Sequence, residues 1–280
     1  MPELDYFQHL ELNIETALKE DIATGDLSAS LIAAQQQAKA HIITKEDAVI
    51  CGRPWFDAVF KHLDPATEIV WHCKEGESVK AGTILCELNG NARILLSGER
   101  SALNFLQTLS ATATETARYV EKLQGSHTQL LDTRKTLPGL RLAQKYAVHC
   151  GGGKNHRIGL YDAILLKENH IMAAHGIQNA VYSAKQLYPN TTVEVETETL
   201  DEVKQALEAG ADIIMLDNFS LEMIREAVQM NNGQAKLEVS GNVELEQLST
   251  LASTQVDFIS TGAITKNIRA VDLSMRFEFL

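Results

Sequence analysis

The chain has 280 residues, 45% hydrophobic and 22% charged, the make-up of a folded globular protein long enough for one large core or two moderate ones. Its net charge of −12 and pI near 5.2 repel polyanions at long range, which argues against general binding to nucleic acid or to an anionic membrane. Any site for an anion must therefore be local. Cys51, Cys73, Cys86 and Cys150 form no CxxC and have no histidines at zinc-finger spacing, which reads as four reduced thiols of a cytoplasmic protein. The segment MPELDYFQHLELNIETALKED is acidic and amphipathic, without the basic start and apolar run of a signal peptide, and no apolar stretch approaches membrane-spanning length.

In chain order, Leu4, Phe7, Leu10, Ile14, Ala17 and Leu18 recur at helical spacing and predict one or two amphipathic helices over residues 4–20. The turn-rich EDIATGDLSAS follows, with Asp26 or Ser28 as a cap. AKAHIITKEDAVICG alternates as a strand does, and RPWFDAVFKHL (53–63) reads as a helix with Pro54 in its first turn. EIVWHCKEGESVKAGTILCELNGNARILLS reads as short strands broken by turns at Glu75-Gly76, Ala81-Gly82 and Asn89-Gly90. A long helix is predicted next, with Ser97 as its N-cap, Glu99 in its first turn, and Leu103, Leu106, Leu109 and Ala113 as a buried stripe.

After about residue 113 short apolar runs (129–131, 163–166, 192–195, 212–216, 236–239 and 257–259) alternate with helical segments. That pattern is the mark of parallel strands with helical crossovers. Polar groups close the runs at Asp132/Thr133, Lys167, Glu196, Asp217, Ser240 and Thr261/Gly262. From Lys167 on they recur at intervals of 29, 21, 23 and 21 residues, about one β/α unit each. A barrel gathers such strand ends around one mouth, whereas an open sheet does not. Eight units normally need about 250 residues and about 155 are present, so the fold class is α/β, an incomplete (β/α) barrel preceded by an α+β N-terminal domain.

Residues 132–170 hold seven Lys/Arg against three acids, a local excess of +4 that leaves −16 for the rest of the chain. Arg134 and Lys135 follow the first strand end, one offering a planar fork and the other a mobile point charge, suited to carboxylate or phosphate. Arg141 and Lys145 sit one turn apart on a predicted helix (140–148) and read as a solvated face. Gly151-Gly152-Gly153 lacks the GK[ST] of a phosphate loop and reads as a flexible segment that lets Lys154, His156 and Arg157 approach a ligand. Lys167 after Ala163-Ile164-Leu165-Leu166 is costly unless it faces a polar cavity. Asn169 and His170 read as capping groups.

Further along the charge changes sign. In VEVET, Glu194 and Glu196 share one side of a strand, with Glu196 the nearer to its end, and Asp217 closes IIMLD. Carboxylates at one rim suit Mg²⁺ or ribose hydroxyls. Ser240-Gly241-Asn242 and Thr261-Gly262-Ala263 offer backbone N–H groups to a phosphate monoester. The residues alone thus point to a polyanionic substrate, Mg²⁺ and a phosphorylated ribose. A Schiff-base aldolase with Lys167 as nucleophile, and a non-enzymatic anion-binding protein, stand beside that reading.

TRKTLPGLR (133–141), GGGKNHRIGLYDAILLKENH (151–170), VEVET, MLDNF (215–219), SGN (240–242), STGAIT (260–265) and SGERSALNFLQ (97–107) together resemble the quinolinate phosphoribosyltransferases. The resemblance implies transfer of phosphoribose from phosphoribosyl pyrophosphate to quinolinate with decarboxylation, giving nicotinate mononucleotide, CO₂ and pyrophosphate for NAD synthesis. It implies a domain at 1–113 joined by a C-terminal tail, 268–280, and a barrel at 114–267. It also implies a head-to-tail homodimer in which Arg100 enters the neighbouring site. Thr133, Arg134, Lys135, His156, Arg157 and Lys167 would then surround the substrate carboxylates and pyrophosphate. Glu196 and Asp217 would hold ribose and Mg²⁺, directly or through water. Ser240, Gly241, Asn242, Thr261, Gly262 and Ala263 would take the 5′-phosphate, and Lys135, Lys167, Glu196 and Asp217 would carry catalysis. The resemblance assigns no role to Lys154.

Overall fold

The computed structural model describes residues 4–280, which form two compact units. The first contains Met1–Ala117, Thr136–Gly152 and Thr265–Leu280. Its elements are helix α1 (Leu10–Asp21), strands β1 (Gln37–Thr44) and β2 (Ala48–Val49), helix α2 (Arg53–Leu63), and strands β3 (Glu68–Trp71), β4 (Ser78–Val79) and β5 (Ile84–Asn91). Helix α3 (Ala92–Glu121) begins there, and α4 (Arg141–Cys150) and the terminal strand β12 (Leu273–Phe279) belong to it. An antiparallel sheet runs in the order β12-β1-β5-β3, with β2 and β4 paired apart. Ala38, Ala40, Ile42 and Thr44 alternate inward from β1. They meet a core that includes Trp55, Phe56, Phe60, Leu103, Leu106 and Leu109, each such side chain worth roughly 1.5–3 kcal/mol of burial.

Three local expectations fail for tertiary reasons. Residues 4–9 are not helical, and α1 starts at Leu10. Asn89-Gly90 is no turn: both residues lie inside β5, where Gly90 pairs with Ala38 and packs against Thr67. Ser97 is no N-cap. Helix α3 begins five residues earlier, where the Asn91 carboxamide oxygen accepts the Arg93 N–H at 3.0 Å. Ser97 instead donates to Asp26 at 2.8 Å, and the bare backbone of Gly98 admits the ring of Phe60. The stripe Leu103, Leu106, Leu109 and Ala113 is buried as expected.

The second unit contains Arg118–Lys135 and Gly153–Ile264. Its strands β6 (Gln129–Leu131), β7 (Ile164–Leu166), β8 (Val193–Thr197), β9 (Ile213–Asp217), β10 (Lys236–Ser240) and β11 (Phe258–Ser260) are all parallel, in the order β6-β11-β10-β9-β8-β7. Helices α5 (Glu168–Ala173), α6 (Ile177–Leu187), α7 (Leu200–Glu208), α8 (Leu221–Asn231) and α9 (Leu248–Ala252) make the crossovers, and α10 (Ala263–Lys266) follows β11. The first strand pairs with the last, while β6 and β7 do not pair, so the barrel is incomplete between them. Lys154 partly covers the free side of β6. Its N–H donates to Leu130 O at 2.8 Å and its carbonyl accepts the Asp132 N–H at 3.1 Å.

The first of the three glycines has a packing reason. A Cβ on Gly151 would lie 2.5 Å from the Ala113 carbonyl and 2.6 Å from Thr116 Cβ, so the end of α4 sits directly against α3. Gly152 then leaves at φ +88°, where a side chain is strained. Lys145 corrects the sequence reading outright: it is fully buried, not on a solvated face, while Arg141 is half-buried and donates to Thr136 Oγ1 at 3.1 Å. Gly151→Ala should cost about 1–3 kcal/mol of stability, as overpacking does, measured by urea unfolding; an unchanged midpoint would remove the close approach as its explanation.

Candidate active site

Within the second unit the strand ends bring the chemistry-bearing residues of β6 to β11 to one edge. At β6, the Lys135 N–H donates to Thr133 Oγ1 at 3.1 Å. At β11, a Cβ on Gly262 would meet Lys135 Cδ at 2.8 Å and Thr133 Oγ1 at 3.2 Å. Glycine is needed there so that the lysine stem can lie across the strand end, which joins Thr133, Lys135 and Gly262 in one patch. The Ala263 N–H turns back to Thr261 Oγ1 at 3.2 Å.

On β7 and β8, Lys167 takes the N-cap position of α5, its N–H donating to His170 Nδ1 at 3.0 Å, and its ammonium pairs with Glu196 Oε2. A Schiff-base nucleophile would have to break that pair and shed its proton. Burial first, and then the charge of Glu196, push Asp217 above its ordinary value, while Lys167 and Lys135 pull it back. Lys135, Lys167, Glu196 and Asp217 therefore share one electrostatic neighbourhood. Two carboxylates that repel one another at a half-buried rim suit a divalent cation with oxygen ligands, which one or two carboxylates can hold.

The phosphate-side residues interlock with this rim. Asn218, at φ +56°, donates its N–H to Ser240 O at 3.1 Å and its carboxamide N–H to Asp217 Oδ2 at 2.9 Å. A Cβ on Gly241, at φ +130°, would lie 2.5 Å from Asn218 Oδ1. Asn242 is exposed. Arg100 is exposed on α3, in the first unit.

Arg157 and His156 are held from below. Asp132, fully buried, accepts the His156 N–H at 2.9 Å and the Asn155 carboxamide at 2.8 Å. The Ile158 and Gly159 N–H groups both donate to Asp162, at 2.7 and 2.8 Å, so the loop after Arg157 is ordered by a carboxylate. Burial, and next the neighbouring Arg134, hold the Arg157 guanidinium below its usual value, while Glu194, Asp162 and Glu196 oppose them. His156 Nε2 lies 3.0 Å from Glu194 Oε2 and 3.5 Å from Glu238 Oε2, with both acids buried inside the barrel. Of the VEVET pair, Glu196 thus sits at the rim and Glu194 beneath it. Sequence reasoning missed Glu238. An acid in the apolar run Lys236–Ser240 is as costly as Lys167 after its own strand, and the same signal applied there would have found it.

A family model described as "Quinolinate phosphoribosyl transferase, C-terminal domain" matches residues 112–276, and its N-terminal counterpart matches 21–110. The chain is 40% identical over 270 residues to a "probable nicotinate-nucleotide pyrophosphorylase [carboxylating]" of Bacillus subtilis, covering 95% of this chain and 93% of that one. A chloroplastic Arabidopsis thaliana protein named nicotinate-nucleotide pyrophosphorylase [carboxylating] is 40% identical, covering 96% of this chain and 83% of that one. The solved structure of the Francisella tularensis nicotinate-nucleotide pyrophosphorylase superposes with a TM-score of 0.95 at 48% identity, over 99% of this chain and 98% of that one.

Burial first, and then the charge of Glu194, push Glu238 from 4.5 up to about 8. Between those two values the folded chain keeps a proton that the unfolded chain has released, so rising pH works against folding over that window. Glu238→Gln has no proton to lose. Its stability relative to the parent should therefore increase between about pH 5 and pH 8, by up to ~1.4 kcal/mol per pH unit, in urea unfolding at several pH values. A difference independent of pH would show that Glu238 titrates normally.

Proposed function

The chain belongs to the quinolinate phosphoribosyl transferase family, and from that premise we propose how its residues carry the reaction. The enzyme is a phosphoribosyltransferase of NAD biosynthesis, a nicotinate-nucleotide pyrophosphorylase (carboxylating) in type. It transfers phosphoribose from phosphoribosyl pyrophosphate to the ring nitrogen of quinolinate, with loss of CO₂ and pyrophosphate. The observation that carries this reading is that Arg157 feels the positive charge of Arg134 at the edge where Lys135, Lys167, Glu196 and Asp217 form a mixed cluster. Two neighbouring guanidinium charges repel unless an anion offsets them, and quinolinate brings two adjacent carboxylates.

In the proposed arrangement Arg134, Arg157, His156 and Thr133 orient the dicarboxylate. Lys135 and Lys167 offset charge on the pyrophosphate as it departs. The ring nitrogen forms its bond to ribose C1 as the bond to pyrophosphate breaks, through an oxocarbenium-like state, so neutralising the leaving group is the main electrostatic task. The C2 carboxylate then leaves as CO₂, its electron pair remaining at C2 beside the cationic pyridinium nitrogen, and C2 takes up a proton. The ring's own charge is the electron sink, so the lysines act by position and charge.

Glu196 and Asp217 would hold Mg²⁺, directly or through water, and accept the ribose hydroxyls; the ion would supply charge neutralisation for pyrophosphate. Ser240, Gly241, Asn242, Thr261, Gly262 and Ala263 would take the 5′-phosphate, a role that their turns and exposed N–H groups suit. We place the enzyme in the cytoplasm, which four free cysteines favour; among the described residues no helix is long and apolar enough to cross a membrane. It works as a homodimer in which Arg100, exposed on its helix, enters the partner's site.

Incubation with quinolinate, phosphoribosyl pyrophosphate and Mg²⁺ should release CO₂ and nicotinate mononucleotide in equal amounts, and chelation should stop turnover. Lys135→Ala should lower turnover by orders of magnitude. Arg100→Ala and Lys135→Ala, each inactive alone, should regain about a quarter of parental activity when their subunits are mixed and exchanged, because half the dimers then hold one intact site. No recovery would contradict the shared site.

A further inference from the structure

We infer that the first unit holds a metal site of its own, in which Cys51, Cys150 and Glu75 bind a thiophilic divalent cation, Zn²⁺. All three residues belong to the first unit, whereas the residues assigned to the reaction, Arg100 apart, belong to the second. The site stands whether or not the proposed reaction does.

Three chain segments meet at this point. Cys51 lies just before α2 and is fully buried, Cys150 is the last residue of α4, and Glu75 lies in the turn between β3 and β4. The two sulfurs and a Glu75 carboxylate oxygen all lie within 4.8 Å of one another. A tetrahedral ion bonded to sulfur at ~2.3 Å holds its ligand atoms roughly 3.5–3.8 Å apart, so small side-chain adjustments close the three on one ion. Main-chain contacts place these donors. The Gly76 N–H donates to Ile50 O at 2.8 Å, and the Cys51 N–H donates to Ser110 Oγ at 3.0 Å. Gly76 comes so near α4 that a Cβ on it would lie 3.2 Å from the Cys150 carbonyl oxygen.

The donor set selects the ion. Cys51 hydrogen-bonds with both Glu75 and Cys150 yet has one S–H to give, and a cation satisfies all three acceptors at once. Mg²⁺ and Ca²⁺ take oxygen ligands, and Cu⁺ prefers sulfur alone; two thiolates with one carboxylate suit Zn²⁺. Glu75 is held as metal-bound carboxylates are held. Its Oε1 accepts the Gly52 N–H at 2.6 Å and its Oε2 the Arg53 N–H at 3.3 Å, which leaves each oxygen a further lone pair. The Tyr146 hydroxyl gives Cys150 the same kind of support. Capping of α2 accounts for Glu75 alone, and not for two thiols gathered beside it. Three anionic ligands leave one negative charge around a divalent ion, and the Arg53 guanidinium acts on Glu75 to offset it. Glu75 and Gly76 line an open cleft of about 760 Å³, and Glu75 and Cys150 are half-buried, so an ion has a way in.

The full chain tests this once a chelator has stripped it, with a phosphine reductant present and excess Mg²⁺ to fill the rim carboxylates. In calorimetry the parent should bind one Zn²⁺ per chain with a Kd of about 1 μM or tighter. Co²⁺ in its place should give a near-ultraviolet thiolate-to-cobalt band of two-thiolate intensity, which a carboxylate site cannot produce. Cys150→Ser should weaken Zn²⁺ binding at least ~100-fold and diminish the band, while Cys86→Ala, which removes a free thiol outside the cluster, should change neither. Zn²⁺ should raise the urea midpoint of the parent and of Cys86→Ala, but not of Cys150→Ser. A parent without the thiolate band, a Zn²⁺ affinity that survives Cys150→Ser, or an equal loss in Cys86→Ala would overturn the inference. Should Cys150→Ser fail to fold, the parent's Co²⁺ spectrum decides alone: the band supports the site and its absence refutes it.

Discussion

Arg157 lies near enough to Arg134 in the second unit to feel its charge, and the rest of the site answers to that repulsion. Burial first, and then the charge of Arg134, hold Arg157 below its ordinary value, while the guanidinium keeps its charge. Glu194, Asp162 and Glu196 oppose that lowering. The offset is incomplete by design of the chemistry, since a site fully neutralised by its own acids would have little charge left for an anion. An acidic chain, −12 overall, can hold such a locus because Arg134, Lys135, Arg157 and Lys167 are gathered at strand ends and their loops.

The same logic divides the carboxylates by depth. Glu196 and Asp217 lie at the rim, one paired with Lys167 and the other hydrogen-bonded by Asn218. Glu194 and Glu238 lie buried inside, 3.0 and 3.5 Å from His156 Nε2. Glycines serve geometry in this scheme. Gly262 lets the Lys135 stem cross a strand end, and Gly241 lets Asn218 close on Ser240. Residues such as Thr133 and Asn218 hold backbone in turns that aim other groups.

Most of the barrel was legible in the sequence because buried parallel strands are short apolar runs, and the regular recurrence of their polar ends marks one edge. Lys167, Glu196 and Asp217 declared themselves by closing such runs. Long-range packing was not legible. The early start of α3 depends on Asn91, the strand character of Asn89-Gly90 depends on β1, and the burial of Lys145 contradicts its amphipathic spacing. Glu238 escaped because alternation explains an acid in a strand until the strand is known to face a closed interior. The packing need at Gly151 was hidden too: its cause is a helix some forty residues upstream, a distance that spacing rules do not reach.

The central claim is that paired guanidiniums at this mouth select a ligand with two adjacent carboxylates. Calorimetric titration of the parent and of Arg157→Ala with benzene-1,2-dicarboxylate and with benzoate tests it without any turnover. The account predicts that the parent binds the dicarboxylate at least ~100-fold more tightly than the monocarboxylate, and that Arg157→Ala removes most of that difference. Equal affinities for the two acids, or a preference that survives the loss of Arg157, would contradict it.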